Sequence, residues 1–418
     1  QDHRLRHLVL DFSNAFFNFP TRPDERKYFA ARVRNHIYIW HRAVQGSRGA
    51  PLVCGRALAL AMRMACAVLP ENAMTAATYV DDPLCSFLGE AGEVEEHMAK
   101  FVGCLLAMGY ELAFPKAQDS AAIPTLVWTS ARITILHDDD AVRVEVKEDI
   151  LIELSAGIDA MLGSSQVLVD DLRSLAGRAV CVSGLIYTWR PFVSMLWAPL
   201  YDRRSRCKFD HSKIWTRAIE VPLLWMKAFL ARTAGSLSRV YSLADYLGQG
   251  AVFEITVDAS PLRLGGYLSI DGIIQECFTS PINEVDEAVL KVKRGGSDGQ
   301  QAWEALSMLV ALRHWKKHWT SRRIRLKVRG DSVSALVMVI RMQAKGTGTS
   351  VIARELALDV ADCLYTPSIG EHIPGVANKL ADYLSRLDDH AAEPIPGPLR
   401  SVSWCEVAYR SEEWWRTL

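Results

Sequence analysis

The segment TYVDDPL, residues 78–84, places two adjacent carboxylates directly after an apolar stretch. Met74–Val80 has the composition of a strand, and Asp81 and Asp82 follow at its tip. Adjacent carboxylates repel each other, and a divalent cation held by hard oxygen ligands removes that repulsion. The competing explanation is a tight turn, because aspartate is common in turns. Taken alone the pair favours the turn, so its assignment depends on the rest of the sequence.

A third carboxylate occupies a similar position near the start of the chain. In LVLDFSNAFFNFP, residues 8–20, Asp11 ends an apolar run that predicts a short buried strand. Acids at strand tips could hold two cations about 4 Å apart, an arrangement that activates an attacking hydroxyl and stabilises a leaving phosphate. Metal-assisted phosphoryl transfer is therefore the hypothesis that these acids suggest.

Two further segments carry residues that could contact a nucleotide. QGSRGAP, residues 45–51, is a flexible loop before a long apolar helix, in which Gln45 could reach a sugar or base. MGYELAFPK, residues 108–116, places Lys116 shortly after a helix–strand turn. Each has an ordinary explanation when taken alone, a glycine turn in one case and a solvated lysine in the other.

The C-terminal half of the chain contains a second set of acids, each placed by a predicted strand or helix. They are Asp258 in ITVDAS, Glu304 in QAWEAL, Asp331 in VRGDS and Asp382 in NKLADYLSRL. Four acids positioned in this way could converge at one end of a central sheet. A helix cap or a surface acid is the more common explanation of each one separately.

LDFSNAFF, QGSRGAP, YVDD and the stretch from Gly109 to Lys116 resemble, in order and spacing, motifs A to D of a reverse transcriptase palm. The resemblance implies that Asp11 and Asp81 bind two Mg²⁺ (or Mn²⁺) ions, with Asp82 supporting them. It also implies that Lys116 donates a proton to the pyrophosphate. One departure is Pro83, because a proline cannot donate a backbone hydrogen bond and so indicates an edge position or a distorted hairpin.

The same resemblance implies a set of substrate-binding residues, namely Phe12, Ala15, Phe16, Gln45 and Gly46. Phe16 matches the aromatic steric gate beneath the sugar 2′ position, and Ala15 matches its small neighbour. Gln45 matches a residue that contacts the incoming nucleotide. Two longer segments resemble the primer-grip hairpin and the thumb-and-connection region of LTR-type retroelements, LVWTSARITI (126–135) and DLRSLAGRAVCVSGLIYTWRPF (171–192).

The C-terminal acids resemble the D-E-D-D set of the RNase H fold. HIPGVANKLADYLSR, residues 372–386, resembles the closing motif of that domain in gypsy-like and DIRS-like retroelements. The resemblance implies two Mg²⁺ (or Mn²⁺) ions held by all four acids, Asp258, Glu304, Asp331 and Asp382. It also implies that His372 helps product or a proton to leave, whereas a surface loop histidine is the alternative.

Composition limits the possible classes without choosing among them. The 418 residues carry 48 Lys+Arg and 48 Asp+Glu, which excludes a polycationic tail protein but not local basic surfaces. Nine cysteines without a C-x-x-C pair argue against a disulfide scaffold and a zinc ribbon. No apolar stretch is long enough to span a membrane. Two basic runs interleaved with aromatics, residues 202–217 and 313–329, could bind a nucleic-acid strand or be solvated surface.

We expect an α+β polymerase palm with a helical thumb/connection, followed by an α/β RNase H-like domain. The predicted domains are a palm with partial fingers, a thumb/connection, an RNase H-like domain, and a proline-containing linker and tail, over residues 1–140, 141–245, 246–388 and 389–418. Because the chain begins at Gln1 shortly before motif A, we expect a piece of a longer polyprotein that polymerises weakly alone.

The resemblance implies an RNA-directed DNA polymerase with ribonuclease H activity, encoded by an LTR-type retroelement. Its partners would be RNA and DNA template-primers, RNA–DNA hybrids and deoxynucleoside triphosphates, with no membrane. Its location would be intracellular, in a cytoplasmic particle or the nucleus. Two alternatives are open: a degenerate or domesticated fragment that binds nucleic acid without polymerase activity, and a nuclease whose palm serves only to bind the hybrid.

Overall fold

The computed structural model describes residues 4–207, 210–246, 249–319, 324–361, 367–387 and 394–417. The chain divides into two compact units, residues 1–145 and 146–418. In the described parts of both units, every helix is too short or too polar to cross a bilayer.

The first unit is an α+β layer whose central sheet is antiparallel. Its strands and helices are β1 (Arg4–Val9), β2 (Ala30–Val33), β3 (His36–Ile39), α1 (Ala50–Cys66), β4 (Met74–Tyr79), β5 (Asp82–Gly89), α2 (Ala91–Ala107), β6 (Gln118–Asp119), β7 (Thr125–Trp128), β8 (Ala131–Leu136) and β9, which starts at Ala141 and ends at Val146. The central sheet has the order β4-β5-β1-β6. The predicted strands before Asp11 and Asp81 are confirmed as β1 and β4.

Helices α1 and α2 cover one face of this sheet because their apolar residues recur at helical spacing. Val94, Phe101 and Leu105 of α2 are buried, and Met98 packs beside them. In β5 alternate residues are buried, which gives the sheet one core face. The core of this layer therefore supports the end of β1, which precedes Asp11, and the start of β5, which carries Asp82.

Pro83 is the second residue of β5, a strand that is paired on both sides. Its carbonyl accepts a bond from the Leu10 amide at 3.0 Å, but proline cannot return one. The regular pairing of β1 with β5 consequently ends at Val9 and Leu84. Of the two expected explanations, the edge position is wrong, since the proline lies at the start of a central strand where only one ladder bond is lost, and the distorted hairpin agrees with the φ of 57° at Val80.

The second unit begins with a group of helices and continues as a mixed sheet. Its elements are α3 (Glu148–Leu162), β10 (Gln166–Leu168), α4 (Val169–Leu185), α5 (Arg190–Tyr201), β11 (Lys213–Trp215), α6 (Glu220–Leu230), β12 (Ser238–Ser242), α7 (Leu243–Tyr246), β13 (Val252–Ala259), β14 (Arg263–Ile270), β15 (Ile273–Pro281), α8 (Glu284–Leu290), α9 (Gln300–His314), β16 (Arg325–Gly330), α10 (Val333–Arg341), α11 (Thr347–Ala361), β17 (Pro367–His372), α12 (Lys379–Ser385) and β18 (Ser403–Cys405).

The helical part and the sheet share one apolar core, which runs from Val146 to Trp415. The structure thus groups the predicted thumb/connection and RNase H-like segments into one compact unit, while the division into separate domains stays a prediction. Asp170 and Asp171 are of a residue type that is common at helix N-caps, but Leu168 precedes the first residue of α4. The two aspartates lie in the first turn, where they interact favourably with the helix dipole.

The sheet of the second unit has the order β17-β16-β13-β14-β15-β18. Strand β14 is antiparallel to both of its neighbours, β13 and β15, whereas β16 runs parallel to β13 and β17 runs parallel to β16. Helix α9 is buried on nearly every side, and it ends at His314 before a short 3-10 turn over Lys316–His318. The central strand β13 ends beside Asp258, so its tip is the place where the acids can meet.

A glycine pair lets helix α12 lie close against the sheet. Gly265 and Gly266 are the third and fourth residues of β14. A Cβ at Gly265 would lie 2.3 Å from the backbone nitrogen of Ser385 and 2.5 Å from the carbonyl carbon of Leu384. Glycine is therefore required for this approach, which brings α12 next to the tip of β13.

The C-terminal segment is packed into the second unit, which differs from the expected linker and tail. Strand β18 pairs in parallel with β15, and Leu399 is fully buried. Arg410 forms a buried ion pair with Asp286 at 2.7 Å, and Arg313 stacks over Trp414 at 4.2 Å. A proline-rich composition suggested a linker, but these widely separated contacts hold the described residues 394–417 in place. Residues 388–393 lie outside the described residues.

Candidate active sites

The acids of the first unit lie where the end of β1 meets the hairpin between β4 and β5. Tyr79 pairs with Asp82 across a two-residue turn made of Val80 and Asp81. Val80 adopts a φ of 57°, which is uncommon for a β-branched residue and costs on the order of 1–3 kcal/mol. The Phe12 amide donates to the Asp81 carbonyl at 3.1 Å. The chain that carries Asp11 is therefore fixed directly beside the strained hairpin.

Lys116 lies among these carboxylates. Its Nζ atom is 2.8 Å from Oδ2 of Asp11, and the ammonium is largely exposed. The hydrogen bond to Asp11 raises the pKa of Lys116, and the charges of Asp82 and Asp81 raise it further. The indole of Trp128 donates to the Asp82 carbonyl at 2.9 Å and fixes the hairpin from the other side. Three carboxylates thus face one ammonium, which leaves a negative site.

The residues present fit divalent cations at this place. Asp11, Asp81 and Asp82 offer only hard oxygen donors, which suit Mg²⁺ and Mn²⁺. Lys116 neutralises no more than one of the three negative charges and can move aside, since its side chain is 68% exposed. In the described part of the chain, these three acids do not form one of the groups whose ligand atoms all lie within 4.8 Å.

The predicted substrate residues occupy two environments. Ala15 and Phe12 are buried in the core, and Phe12 packs edge-on against Tyr110 with ring centroids 5.4 Å apart. Phe12 is only 1% exposed in this arrangement, and its predicted contact with substrate stays a prediction. Gln45 and Gly46 are exposed, and Gly46 has a φ of 85° that favours glycine.

The chain between Asp11 and Phe16 does not continue as a strand. Asn14 adopts a left-handed conformation, and the chain turns into a 3-10 turn over Ala15–Asn18. Phe16 is half-buried against the core of the first unit, while Phe17 is 44% exposed. The assignment of Phe16 as the steric gate stays a prediction.

The acids of the second unit come together from distant parts of the sequence. Asp258 lies near the end of β13, Glu304 in the second turn of α9, and Asp331 directly after β16. One carboxylate oxygen from each lies within 4.8 Å of the others. Asp258 and Glu304 are 4% and 6% exposed, so the group lies at the bottom of the site rather than on the open surface.

Two of these carboxylate oxygens are buried without a hydrogen-bond partner, Oε2 of Glu304 and Oδ1 of Asp331. Burial raises the pKa of Glu304 to about 8, and the charges of Asp258 and Asp331 act in the same direction. Burial also raises the pKa of Asp258 to about 6. Buried, unpartnered carboxylate oxygens facing one another are costly. A divalent cation bound between them would remove that cost, so these residues fit such an ion.

Neighbouring side chains orient the acids, and the sequence did not single them out. Ser385 donates to Oδ2 of Asp258 at 2.5 Å, and Gln300 donates to Oε1 of Glu304 at 2.7 Å. Gln300 also donates to the Ala259 carbonyl at 2.5 Å. The only sequence signal for either residue was its position, one helical turn from Asp382 or Glu304, on the same helix face.

Asp382 and His372 lie at the rim of this group. Asp382 is on α12, forms an ion pair with Arg386 at 2.6 Å, and lies near enough for its charge to raise the pKa of Asp258. It is not part of the three-acid group. His372 is exposed at the end of β17, opposite Gly330, the residue before Asp331. The structure therefore brings three of the four predicted acids together and leaves Asp382 and His372 more accessible.

Comparison with known proteins identifies the first unit more closely than the second. Residues 3–136 match the family model described as reverse transcriptase (RNA-dependent DNA polymerase). No curated protein matches the chain.

Among solved structures, foamy viral protease–reverse transcriptases are similar. One of them, the dRH form in complex with double-stranded DNA, is 15% identical in sequence to this chain. The match has a TM-score of 0.39 and covers 88% of this chain and 56% of that one. Another, with an RNA/DNA hybrid, is 13% identical, with a TM-score of 0.41 over 89% of this chain and 45% of that one. This chain thus spans about half the length of both. At such low TM-scores the assignment depends on the family match, which shows that residues 3–136 are a reverse transcriptase domain.

Proposed function

We propose that this chain is an RNA-directed DNA polymerase with ribonuclease H activity, from an LTR-type retroelement of the gypsy-like or DIRS-like kind. The reverse transcriptase match over residues 3–136 supports the polymerase. The nuclease is supported by the acid group on β13, α9 and β16, which lies in the other unit. The substrates would be template-primers, deoxynucleoside triphosphates and RNA–DNA hybrids, and the chain would act in a cytoplasmic particle or the nucleus.

In the polymerase site, Asp11 and Asp81 would hold two Mg²⁺ ions and Asp82 would support them. Ions bound there would activate the primer hydroxyl and stabilise the charge that develops on the pyrophosphate. The chain's own contributions are position and proton supply. The Val80–Asp81 turn fixes the position of the acids, and the Lys116 ammonium beside Asp11 would give a proton to the leaving group.

The observation that carries the nuclease proposal is the pair of unpartnered buried oxygens on Glu304 and Asp331, next to Asp258. Buried polar atoms are nearly always hydrogen-bonded, and a divalent cation bound between these two oxygens would satisfy both of them. The strand order of the second unit's sheet also supports an RNase H-like fold. Counted from β13, the sheet reads five, four, one, two, three, with an extra edge strand from the C-terminal segment.

The chain's residues would share the work of hydrolysis. Ser385 and Gln300 hold the carboxylates of Asp258 and Glu304 in one orientation. Asp258, Glu304, Asp331 and Asp382 would hold two divalent ions, which would activate a water and stabilise the leaving oxygen. His372, exposed at the rim, is free to accept or deliver a proton as product leaves.

The test is cleavage of the labelled RNA strand of an RNA–DNA hybrid by residues 1–418, with Mg²⁺ or Mn²⁺. We expect cleavage by the wild-type chain, and a loss of at least about a hundredfold in Asp258→Asn. Asp171→Asn, an exposed acid on α4, is the matched control and should cleave normally. Hybrid binding without metal-dependent cleavage would instead support a domesticated binding protein.

A further inference from the structure

A second group of ligand-type side chains lies on a different part of the second unit. Glu276 of β15, His314 at the end of α9 and Cys405 of β18 each place one ligand atom within 4.8 Å of the others. Glu276 pairs directly with Ser403 across the edge of the sheet, two residues before Cys405. His314 lies ten residues beyond Glu304 on α9, which is about 15 Å along the helix. This group is therefore separate from the acid site.

Its geometry is close to that of a metal centre. Tetrahedral zinc has bonds of about 2.0–2.3 Å to nitrogen, oxygen and sulfur, which separates its ligand atoms by roughly 3.5 Å. Sγ of Cys405 is already 3.3 Å from Oε2 of Glu276. All three side chains are half-buried, so solvent screens them only in part. Small rotations of three side chains would bring the ligands to bonding distance.

The surroundings orient the ligands as neighbouring groups do in metal centres. The indole of Trp315 donates to Oε2 of Glu276 at 3.0 Å and fixes the carboxylate. The His314 ring packs against Phe278 and Trp315, with centroids 6.0 and 5.7 Å away. Lys317 also donates to Glu276, at 2.8 Å, and would compete with a cation. Its side chain is 60% exposed and can turn into solvent.

We propose that Glu276, His314 and Cys405 bind a zinc ion, with water as the fourth ligand, and that this ion fastens the C-terminal segment to the sheet. A thiolate and an imidazole select zinc over Mg²⁺, which the acid site prefers. Strand β18 has only three residues in register with β15. The ion would take one ligand from each of β15, α9 and β18. It would thereby fasten β18 to the sheet more firmly than its short pairing with β15 does alone.

The experiment measures zinc bound by purified residues 1–418 after dialysis with millimolar Mg²⁺, which occupies oxygen-only sites. We expect about one zinc per chain, and an affinity lowered about tenfold or more in Cys405→Ser and in His314→Gln. Cys181→Ser is the matched control, because Cys181 is an exposed free cysteine on α4. Cobalt in place of zinc should give a thiolate charge-transfer band in the wild type and in Cys181→Ser, but not in Cys405→Ser.

Three results would overturn the proposal. They are a wild-type chain that retains no zinc, equal zinc affinity in Cys405→Ser and wild type, and loss of the zinc in Asp258→Asn, which would assign the ion to the acid site. Folding of each variant is followed by circular dichroism. If Cys405→Ser does not fold, Glu276→Gln replaces it, because that change keeps the shape of the side chain and removes an anionic ligand.

Discussion

Nζ of Lys116 lies 2.8 Å from Oδ2 of Asp11, so the lysine predicted to serve the leaving group contacts a predicted metal ligand. The two residues are 105 positions apart in the sequence. Asp11 follows the end of β1, and Lys116 lies in a 3-10 turn after α2. A lysine in this position reduces the repulsion among the acids, and it would have to leave Asp11 if the proposed metal ions bind there.

Lys116→Met should therefore lower two quantities, the rate of primer extension and the Mg²⁺ concentration that extension requires. Primer extension should slow by about 10²–10⁴-fold, because a proton donor is lost. The Mg²⁺ concentration for half-maximal extension should fall, because no ammonium competes for Asp11. Both are measured by primer extension over a Mg²⁺ series. Lys100→Met, which breaks an exposed pair with Glu96 on α2, is the control. An unchanged extension rate in Lys116→Met would contradict the assigned role.

The two acid sites should be separable by mutation. Asp81→Asn should abolish primer extension and leave RNA cleavage in a hybrid intact, while Asp258→Asn should do the reverse. The reason is that these acids belong to two compact units, each with its own sheet. Both assays are run on one preparation of each variant. Loss of cleavage in a folded Asp81→Asn chain would show that the two activities share a site.

The steric-gate assignment gives a prediction on sugar selection. Phe16→Val should raise ribonucleotide relative to deoxyribonucleotide incorporation, because a smaller side chain leaves room for a 2′-hydroxyl. Phe16 is half-buried, so the change should also cost roughly 1 kcal/mol or more of stability. Matched primer-extension reactions with the two nucleotides measure the ratio. Phe17→Val is the comparison, since Phe17 is exposed nearby. A shifted ratio in Phe17→Val alone would move the gate to Phe17.

Local features of both sites were predictable because they depend on neighbours in sequence. An apolar run that ends in an acid is visible in the chain, and it gave the positions of Asp11, Asp81 and Asp258 at strand ends. The place of Ser385 was not visible. It depends on the missing side chain at Gly265, on another strand, and no periodic pattern connects two such distant residues.

The C-terminal segment shows the same limit. Its prolines predict a linker, because composition is read without knowledge of partners. Arg410 is buried through an ion pair with a residue 124 positions away, and Cys405 meets Glu276 across 129 positions. Contacts of this kind are set by the fold of the sheet, so a reading of the sequence by local pattern could not find them.

His7 predicts how the first unit responds to acid. Burial lowers its pKa to about 4, and its Nδ1 lies 2.9 Å from Oγ of Ser86. The unfolded chain, with a histidine pKa near 6.5, binds a proton that the folded chain does not. Stability should therefore fall as the pH drops from about 6.5 to 4, by an amount on the order of 3 kcal/mol.

The measurement is hydrogen–deuterium exchange of β1 and β5 peptides at several pH values. His7→Gln, which keeps a polar group near Ser86, should show a smaller loss of protection over this pH range than the wild type. His36→Gln, at an exposed position on β3, should follow the wild type. Equal acid sensitivity in His7→Gln and the wild type would assign the effect to other groups.

The ion pair between Arg410 and Asp286 tests whether the C-terminal segment is part of the fold. The two side chains are 1% and 0% exposed, and Arg410 also donates to Oγ of Ser280 at 2.7 Å. Arg410→Met should lower the free energy of unfolding by about 3–5 kcal/mol, because it leaves a buried carboxylate unpaired. Arg410→Met/Asp286→Asn should be more stable than the single variant, since it removes the unpaired charge and keeps an amide that can still cap α8. Urea unfolding measures both, and Arg400→Met, at an exposed site, should change the stability by no more than about 0.5 kcal/mol. If Arg410→Met were as stable as the wild type, the segment would be a tail resting on the unit rather than a part of its core.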